Sequence, residues 1–373
     1  MNDPAGLPGP NSPIDYHAPT AWLLGTGEDA DVVMSSRARL ARNIAGFPFV
    51  NSASRDDRRH ALAVSRQRIM DARLTKKLAW IELHETNHAV RTLLVERHLI
   101  SRQHAKGKLN RTTGGVDEPR AVAVGTPDEA LSIMVNEEDH LRIQLIGSGL
   151  CLNDLLRRID DVDDRIEAGI DYAFSPRFGY LTACPTNVGT GIRFGVMLHL
   201  PALKLTGDIE KVKRAAGGMS LAVRGFYGEG SDASADLYQI SNQTTLGKSE
   251  AAILRELTGE VLPAVIGYER SARQKLLEHR SEVIEDKVHR AIGVLTHARL
   301  LSTEEAMDHL SMIRLGIVAG LMPELEQQPI NHLLLMVQPG HLQMLCGRVL
   351  SQGERRIERA KLVRERLAGV AGS

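Results

Sequence analysis

The sequence predicts an α+β protein, a large mainly antiparallel sheet flanked by helices and followed by an all-helical C-terminal domain. Two observations carry this prediction. Short β-type runs crowd residues 121–242, most separated by tight turns and only two by helix-length segments, which favours antiparallel pairing over βαβ repetition. After Lys248 the apolar spacing becomes helical and stays so to Leu367. With 373 residues and 43% apolar content, the chain can bury a full core and fill roughly two domains.

In chain order, residues 1–20 are rich in Pro, Gly and Asn and read as a flexible arm. Asp56 to Arg73 and Thr86 to Leu99 carry helical spacing, the second with Val90, Leu93, Leu94 and Leu99 on one side. His104 to Arg120, with Gly107, Gly114, Gly115 and a run of basic side chains, reads as a mobile basic loop to which no role is assigned. The expected strands are Ala121–Val124, Leu131–Val135, Leu141–Ile146, Tyr180–Cys184, Arg193–Leu200, Leu221–Tyr227 and Leu237–Asn242. Helices are expected over Leu150–Ala168 and Ala202–Ala215. A boundary near Glu278 to Glu285 divides a sheet-bearing unit, 21–280, from a helical domain, 281–373.

Lys plus Arg and Asp plus Glu both total 46, so no global positive field marks a nucleic-acid or anionic-membrane partner. Cys151, Cys184 and Cys346 match neither a disulfide framework nor a zinc spacing, which fits free thiols in a reducing cytoplasm. Apolar runs such as Leu333–Val337 fall far short of the ~20 residues of a membrane helix, and the N-terminus lacks a secretory pattern. Walker A, Gly-x-Gly-x-x-Gly, His-Arg-Asp and Asp-Phe-Gly patterns are missing, which excludes P-loop, dinucleotide-fold and protein-kinase-fold chemistry.

Chemistry concentrates in four segments. Arg37, Arg39, Arg142, Arg193 and Arg224 recur in short, turn-adjacent contexts, and guanidinium forks grip phosphate oxygens in pairs while staying charged. Singly, each reads more readily as a surface ion-pair residue than as a site residue, and spacing alone does not bring them together. Glu137, Glu138 and Asp139 form one acidic cluster, Glu229 and Asp232 another. A carboxylate pair can clamp a guanidinium and take its proton, though either cluster also reads as a solvated turn. Cys184 precedes Pro185 at a strand end, where neighbouring arginines would favour a thiolate, while lone cysteines are commonly small buried hydrophobes. The turn Val188-Gly189-Thr190-Gly191 offers backbone N–H groups to phosphate, a weak signal by itself.

Together, Ser35-Ser36-Arg37-Ala38-Arg39-Leu40-Ala41-Arg42-Asn43, Asn136-Glu137-Glu138-Asp139-His140-Leu141-Arg142, Cys184 through Arg193, and Arg224 through Gly230 resemble the phosphagen (guanidino) kinase superfamily. The likeness is stronger to its bacterial protein-arginine kinase branch, the McsB type. It covers residues 30–250 strongly and the helical tail more loosely. The resemblance implies the phosphagen-kinase catalytic fold, without the small helical domain that precedes the sheet in animal relatives. It implies an ATP-dependent kinase acting on arginine side chains of proteins, with Mg²⁺ riding mainly on the nucleotide.

By the same resemblance, Ser35, Ser36, Arg37, Arg39, His98, Arg142, Arg193 and Arg224 would hold ATP. Glu138 and Glu229 would grip and deprotonate the guanidinium, and Cys184 would orient it. The implied partners are protein substrates with accessible arginines, a Clp ATPase, an activator protein and a second copy of the chain as a homodimer; phosphorylation would mark proteins for Clp-type proteolysis or regulate them. One departure concerns the branch's Arg-Asp-x-x-Arg-Ala phosphoarginine pocket. Here Arg355-Arg356-Ile357-Glu358-Arg359-Ala360 puts Arg356 where the acid belongs, so the stretch is expected to be an amphipathic helix. Two alternatives share the motifs, a kinase of a small free guanidino compound and a catalytically weak phosphoarginine or Clp adaptor.

Overall fold

The computed structural model describes residues 14–107, 118–218, 221–225 and 234–368. In chain order the elements are β1 (Val33–Arg42), α1 (Arg55–Asp71), β2 (Leu78–Glu82), α2 (His88–Glu96), α3 (Arg102–Lys106), β3 (Ala121–Gly125), β4 (Leu131–Val135) and β5 (Leu141–Ser148). There follow α4 (Leu152–Glu167), the short hairpin β6 (Phe174–Ser175) and β7 (Gly179–Tyr180), β8 (Ile192–His199), α5 (Pro201–Thr206), α6 (Ile209–Gly218), β9 (Leu221–Gly225) and β10 (Leu237–Asn242). The rest is helical: α7 (Glu250–Glu256), α8 (Leu262–His297), α9 (Thr303–Val318), α10 (Gln327–Met336), α11 (Pro339–Cys346) and α12 (Gln352–Ala368).

Eight strands form one sheet in the order β2-β3-β4-β5-β1-β8-β10-β9. Each neighbouring pair is antiparallel. Successive side chains alternate across a strand, so register decides which residues share a face. Ala38 and Leu40 of β1 are level with Leu145 and Ile143 of β5 and with Phe194 and Ile192 of β8. That apolar face is covered by α4, whose Leu155, Ile159, Val162 and Ile166 follow one another at helical spacing and are buried. Truncating Leu155, which is fully buried, would open a cavity costing about 2–5 kcal/mol.

Several expectations are corrected. Ser35–Arg42 is not turn-adjacent but the core of the central ten-residue strand, and β2 is a further strand the sequence reading missed. Tyr180–Cys184 is not a strand beyond Tyr180; the chain instead turns into a 3-10 segment at Pro185, which has no N–H for a ladder. The single helix expected over Ala202–Ala215 is two, α5 and α6. In the expected basic loop, residues 102–106 are helical, His104 and Arg120 are buried, and residues 108–117 lie outside the described residues.

The helical tail begins as expected, and α8 runs 36 residues straight through the anticipated boundary, with one non-helical residue at Arg280. A contiguous apolar core continues from the sheet into α8, α9, α10 and α12. The amphipathic helix expected around Arg355–Ala360 is α12, which buries Arg359, Ala360, Val363 and Leu367. Arg359 spends its guanidinium on the Val337 and Leu301 carbonyls at 2.7 and 2.9 Å. Among the described residues, no helix is long and apolar enough to cross a membrane.

Candidate active site

The face of the sheet opposite α4 carries the predicted chemistry. Arg37 is level with Ile146 and Gly195, Arg39 with Gln144 and Arg193, and Arg142 with Ala41 and Met134. Alternation by two therefore places Arg37, Arg39, Arg142 and Arg193 on one face, although 156 residues separate the first from the last. All four line a cleft of about 1000 Å³, together with His98, Glu138 and Cys184. Arg224 of β9, level with Gln239 of β10, has the parity of the same face three strands away from β1, while its side chain is outside the described part. Glu229 and Asp232 lie outside the described residues.

Charge in this cleft is unbalanced toward the positive. Burial, then the neighbouring charges of Arg37, Arg142 and Arg193, press the Arg39 guanidinium well below its ordinary range. Such crowding of cations is tolerable where an anion is to be held. Arg142 differs, because its Nη1 donates to Glu137 Oε2 at 2.6 Å. Burial would pull Arg142 down, but Glu137 outweighs it and the guanidinium is raised. Glu137 also accepts from Ser101 Oγ at 2.5 Å. Burial raises its carboxyl, yet Arg142, His104 and Ser101 together bring it down to about 2.

The acidic cluster thus divides into three roles. Glu137 fixes Arg142. Asp139 is buried, its Oδ1 accepts from Asn43 Nδ2 at 2.6 Å and the Ala183 amide at 2.7 Å, and it does not line the cleft. Glu138, between them, lines the cleft, as do Glu137 and Glu118. The turn that presents it depends on Asn136, in a left-handed conformation, whose Nδ2 donates to the carbonyls of Arg58 and Pro119 at 2.7 and 2.8 Å.

Cys184 leads into the 3-10 segment, with Sγ 3.0 Å from Thr186 Oγ1 and its carbonyl accepting from Thr182 Oγ1 at 2.8 Å. The following turn packs tightly. Gly189 has φ +114°, and a Cβ there would lie 2.9 Å from the Thr245 carbonyl oxygen, so only glycine fits. Arg42, of the parity that faces α4, pairs with Asp163 at 2.6 Å and donates to the Thr190 carbonyl at 2.8 Å. Its guanidinium also lies 3.6 Å from the Tyr180 ring centroid. It is a brace for the loop rather than a cleft residue.

His98 follows α2 with φ +59°, its carbonyl accepting from Gln144 Nε2 at 2.7 Å and its ring edge-on to Trp22. Burial, then Arg37 and Arg102, lower its pKa to about 3, so the imidazole is neutral near pH 7. Ser35 lines a side slot of the cleft beside Arg37, His98, Gly195 and Gln239. Ser36 is not brought there: it has the opposite parity and its hydroxyl donates to the Gly149 carbonyl at 2.8 Å. Gln144 and Gln239, which also line the cleft, were missed. Period-two counting from Arg142 would have found Gln144; Gln239 required the strand order.

Among the described residues, one group of acids and imidazole is close enough to share a metal ion, Glu82, His84 and Glu85, and none of the three lines the cleft.

Two family models divide the chain. The ATP:guanido phosphotransferase C-terminal catalytic domain matches residues 64–272, and the protein-arginine kinase McsB C-terminal domain matches residues 281–373. A protein-arginine kinase of Symbiobacterium thermophilum is 44% identical over 354 residues, 94% of this chain and 97% of that protein. Another, of Halothermothrix orenii, is 42% identical over 349 residues, 93% of this chain and 96% of that protein. Among solved structures, the duplicated taurocyamine kinase of Schistosoma mansoni aligns with a TM-score of 0.56 and 25% identity, over 69% of this chain and 35% of that one. The antiparallel sheet, the arginine face and these matches agree, and the chain belongs to the ATP:guanido phosphotransferase family, in its protein-arginine kinase branch.

Proposed function

We propose that this chain transfers the γ-phosphoryl group of ATP to a guanidinium nitrogen of arginine residues in proteins. The observation that carries this reading is the convergence of Arg37, Arg39, Arg142 and Arg193 with Glu138 and Cys184 on one cleft. The arginines hold the triphosphate and neutralise charge that develops on the transferring group. The guanidinium nitrogen attacks phosphorus, a P–N bond forms as the bond to the β-phosphate oxygen breaks, and ADP departs. Glu138, together with Glu229, aligns the guanidinium and takes its proton. Cys184 orients the acceptor. Mg²⁺ travels with the nucleotide, a reading that fits a cleft whose acid Glu137 is already committed to Arg142.

Residues 21–280 form the catalytic unit on this reading, and residues 281–373 a helical domain for dimerisation and partner docking. The irregular residue at Arg280 and the division between the two family matches support that boundary. We also infer cytoplasmic action and marking of proteins for a Clp protease, with an activator protein as partner; the McsB-type tail supports these. The direct test is mass spectrometry at neutral pH of an unfolded, arginine-rich protein incubated with the chain and Mg-ATP. Phosphate on arginine is expected. ATP turnover only with free arginine would favour the small-guanidine kinase, and no turnover with either would favour the adaptor.

A further inference from the structure

Glu96, the last residue of α2, and the two residues after it reach in different directions: Glu96 and Arg97 toward the helical tail, His98 toward the cleft. Glu96 Oε1 accepts the Gly340 amide at 2.7 Å, and Oε2 accepts the His341 amide at 2.8 Å. The Glu96 carboxyl, which burial pushes up to about 8, therefore caps the N-terminus of α11, where free N–H groups favour an acceptor. His341 Nδ1 lies 3.1 Å from the same Oε2, and its Nε2 lies 3.0 Å from Arg97 Nη1. A guanidinium only donates, so Nε2 accepts and Nδ1 carries the proton that it donates to Glu96. Arg97 completes the clasp through Glu129 at 2.7 Å and the Ala18 carbonyl at 3.2 Å. Glu96, Arg97 and His341 are all buried, at 3%, 1% and 0% exposure, so the clasp is not a surface ion pair.

The fit leaves no room for a methyl group. A Cβ on Gly340 would lie 2.7 Å from Glu96 Oε2 and 2.8 Å from the Leu93 nitrogen, so α11 rests directly on the α2 backbone. His98, the next residue along, holds a left-handed conformation that is unfavourable outside glycine and persists only when its surroundings impose it. Those surroundings are the Arg97 clasp on one side and Gln144, level with Arg39 on the sheet, on the other.

We propose that Gly340 and His341 are positioning residues for the nucleotide site, acting through Glu96 and Arg97 on His98. The proposal rests on the nucleotide reading of the cleft. The helical tail thereby completes the site at which ATP is held, rather than serving only as an appended domain.

Steady-state kinetics on the full chain, with Mg-ATP and an unfolded arginine-rich protein, tests it. Gly340→Ala is expected to raise KM for ATP about fivefold or more with kcat and the acceptor KM nearly unchanged. His341→Ala should do the same, and His341→Gln, whose amide can both accept from Arg97 and donate to Glu96, should recover part of the loss. Val363→Ala loosens the tail without touching the clasp and should leave KM for ATP unchanged. The double variant His98→Ala, Gly340→Ala should be no worse than His98→Ala alone, since both act on one element. Equal KM shifts in Val363→Ala and Gly340→Ala, or an unchanged KM in Gly340→Ala with His98→Ala impaired, would overturn the positioning role alone. An unchanged KM in His98→Ala would instead remove the nucleotide reading of His98 and the proposal with it.

Discussion

The carboxylate of Asp139 accepts the Ala183 amide at 2.7 Å, tying the turn that presents Glu138 to the loop that presents Cys184. The two groups come from segments 46 residues apart, and this bond, with Asn43 on the same oxygen at 2.6 Å, sets their separation. Burial raises the Asp139 carboxyl, so the site accepts a cost to keep the link.

Asp139→Ala should therefore act on catalysis through position. It leaves a buried amide without its acceptor, a penalty of about 1–3 kcal/mol. Phosphoarginine formation should fall more than about tenfold while KM for ATP holds, as thermal melting and initial rates would register. A loss confined to melting temperature would mean the link is only structural.

Glu138→Gln keeps shape and removes the proposed base. Transfer should drop by roughly 10²-fold or more, with ATP binding retained by calorimetry. Unchanged turnover in this variant would sink the assigned role.

The arginines of the cleft should separate by stability. Arg142→Ala strands the buried Glu137 carboxylate, which costs about 3–5 kcal/mol. Arg39→Ala instead relieves repulsion from Arg37, Arg142 and Arg193. Without nucleotide its melting temperature should not fall, while KM for ATP rises at least about tenfold. Equal destabilisation by both variants would contradict the charge balance described here.

Acid should weaken the contributions of Glu137, His98 and His104. Glu137 is held at about 2, below its ordinary 4.5, so its contribution is present above pH 4.5 and lost as pH falls through 2. That loss is about 3 kcal/mol across the window. His98 and His104 are held at about 3 and 4, below their ordinary 6.5, because burial disfavours the cation. Below pH 6.5 the unfolded chain binds protons that the folded one refuses, so these terms also fade on acidification. Glu250 and Glu269, whose carboxyls burial pushes up to about 7, act in the opposite sense, so the histidines are read by difference: His98→Asn together with His104→Asn should shift the change in melting temperature between pH 6.5 and pH 4 upward relative to the parent chain.

Much of the architecture was legible from local pattern. The runs at Leu131–Val135, Leu141–Ser148 and Leu237–Asn242 carry β-type composition between turns, and the tail after Lys248 carries helical spacing. Strand β1 was missed because its cleft face holds two arginines where an ordinary strand would hold neutral residues. The Tyr180–Cys184 run misled for the opposite reason: its composition is strand-like, but Asp139 and Pro185 take its backbone out of the sheet.

By itself the sequence determined which residue types were present and, through their resemblance to a family, which of them to bring together: the arginines, Glu138 and Cys184. The alternation that sends Arg37 and Arg39 one way and Ala38 and Leu40 the other followed only once the segment proved to be strand β1. Only the tertiary structure decided that β5, β1 and β8 lie side by side in a register that puts Arg142 and Arg193 on that same face, that Asp139 anchors instead of catalysing, and that Ser36 turns away. Local composition sets the side of a strand a residue takes, whereas strand order, register and the burial of a carboxylate depend on packing between segments far apart in the chain.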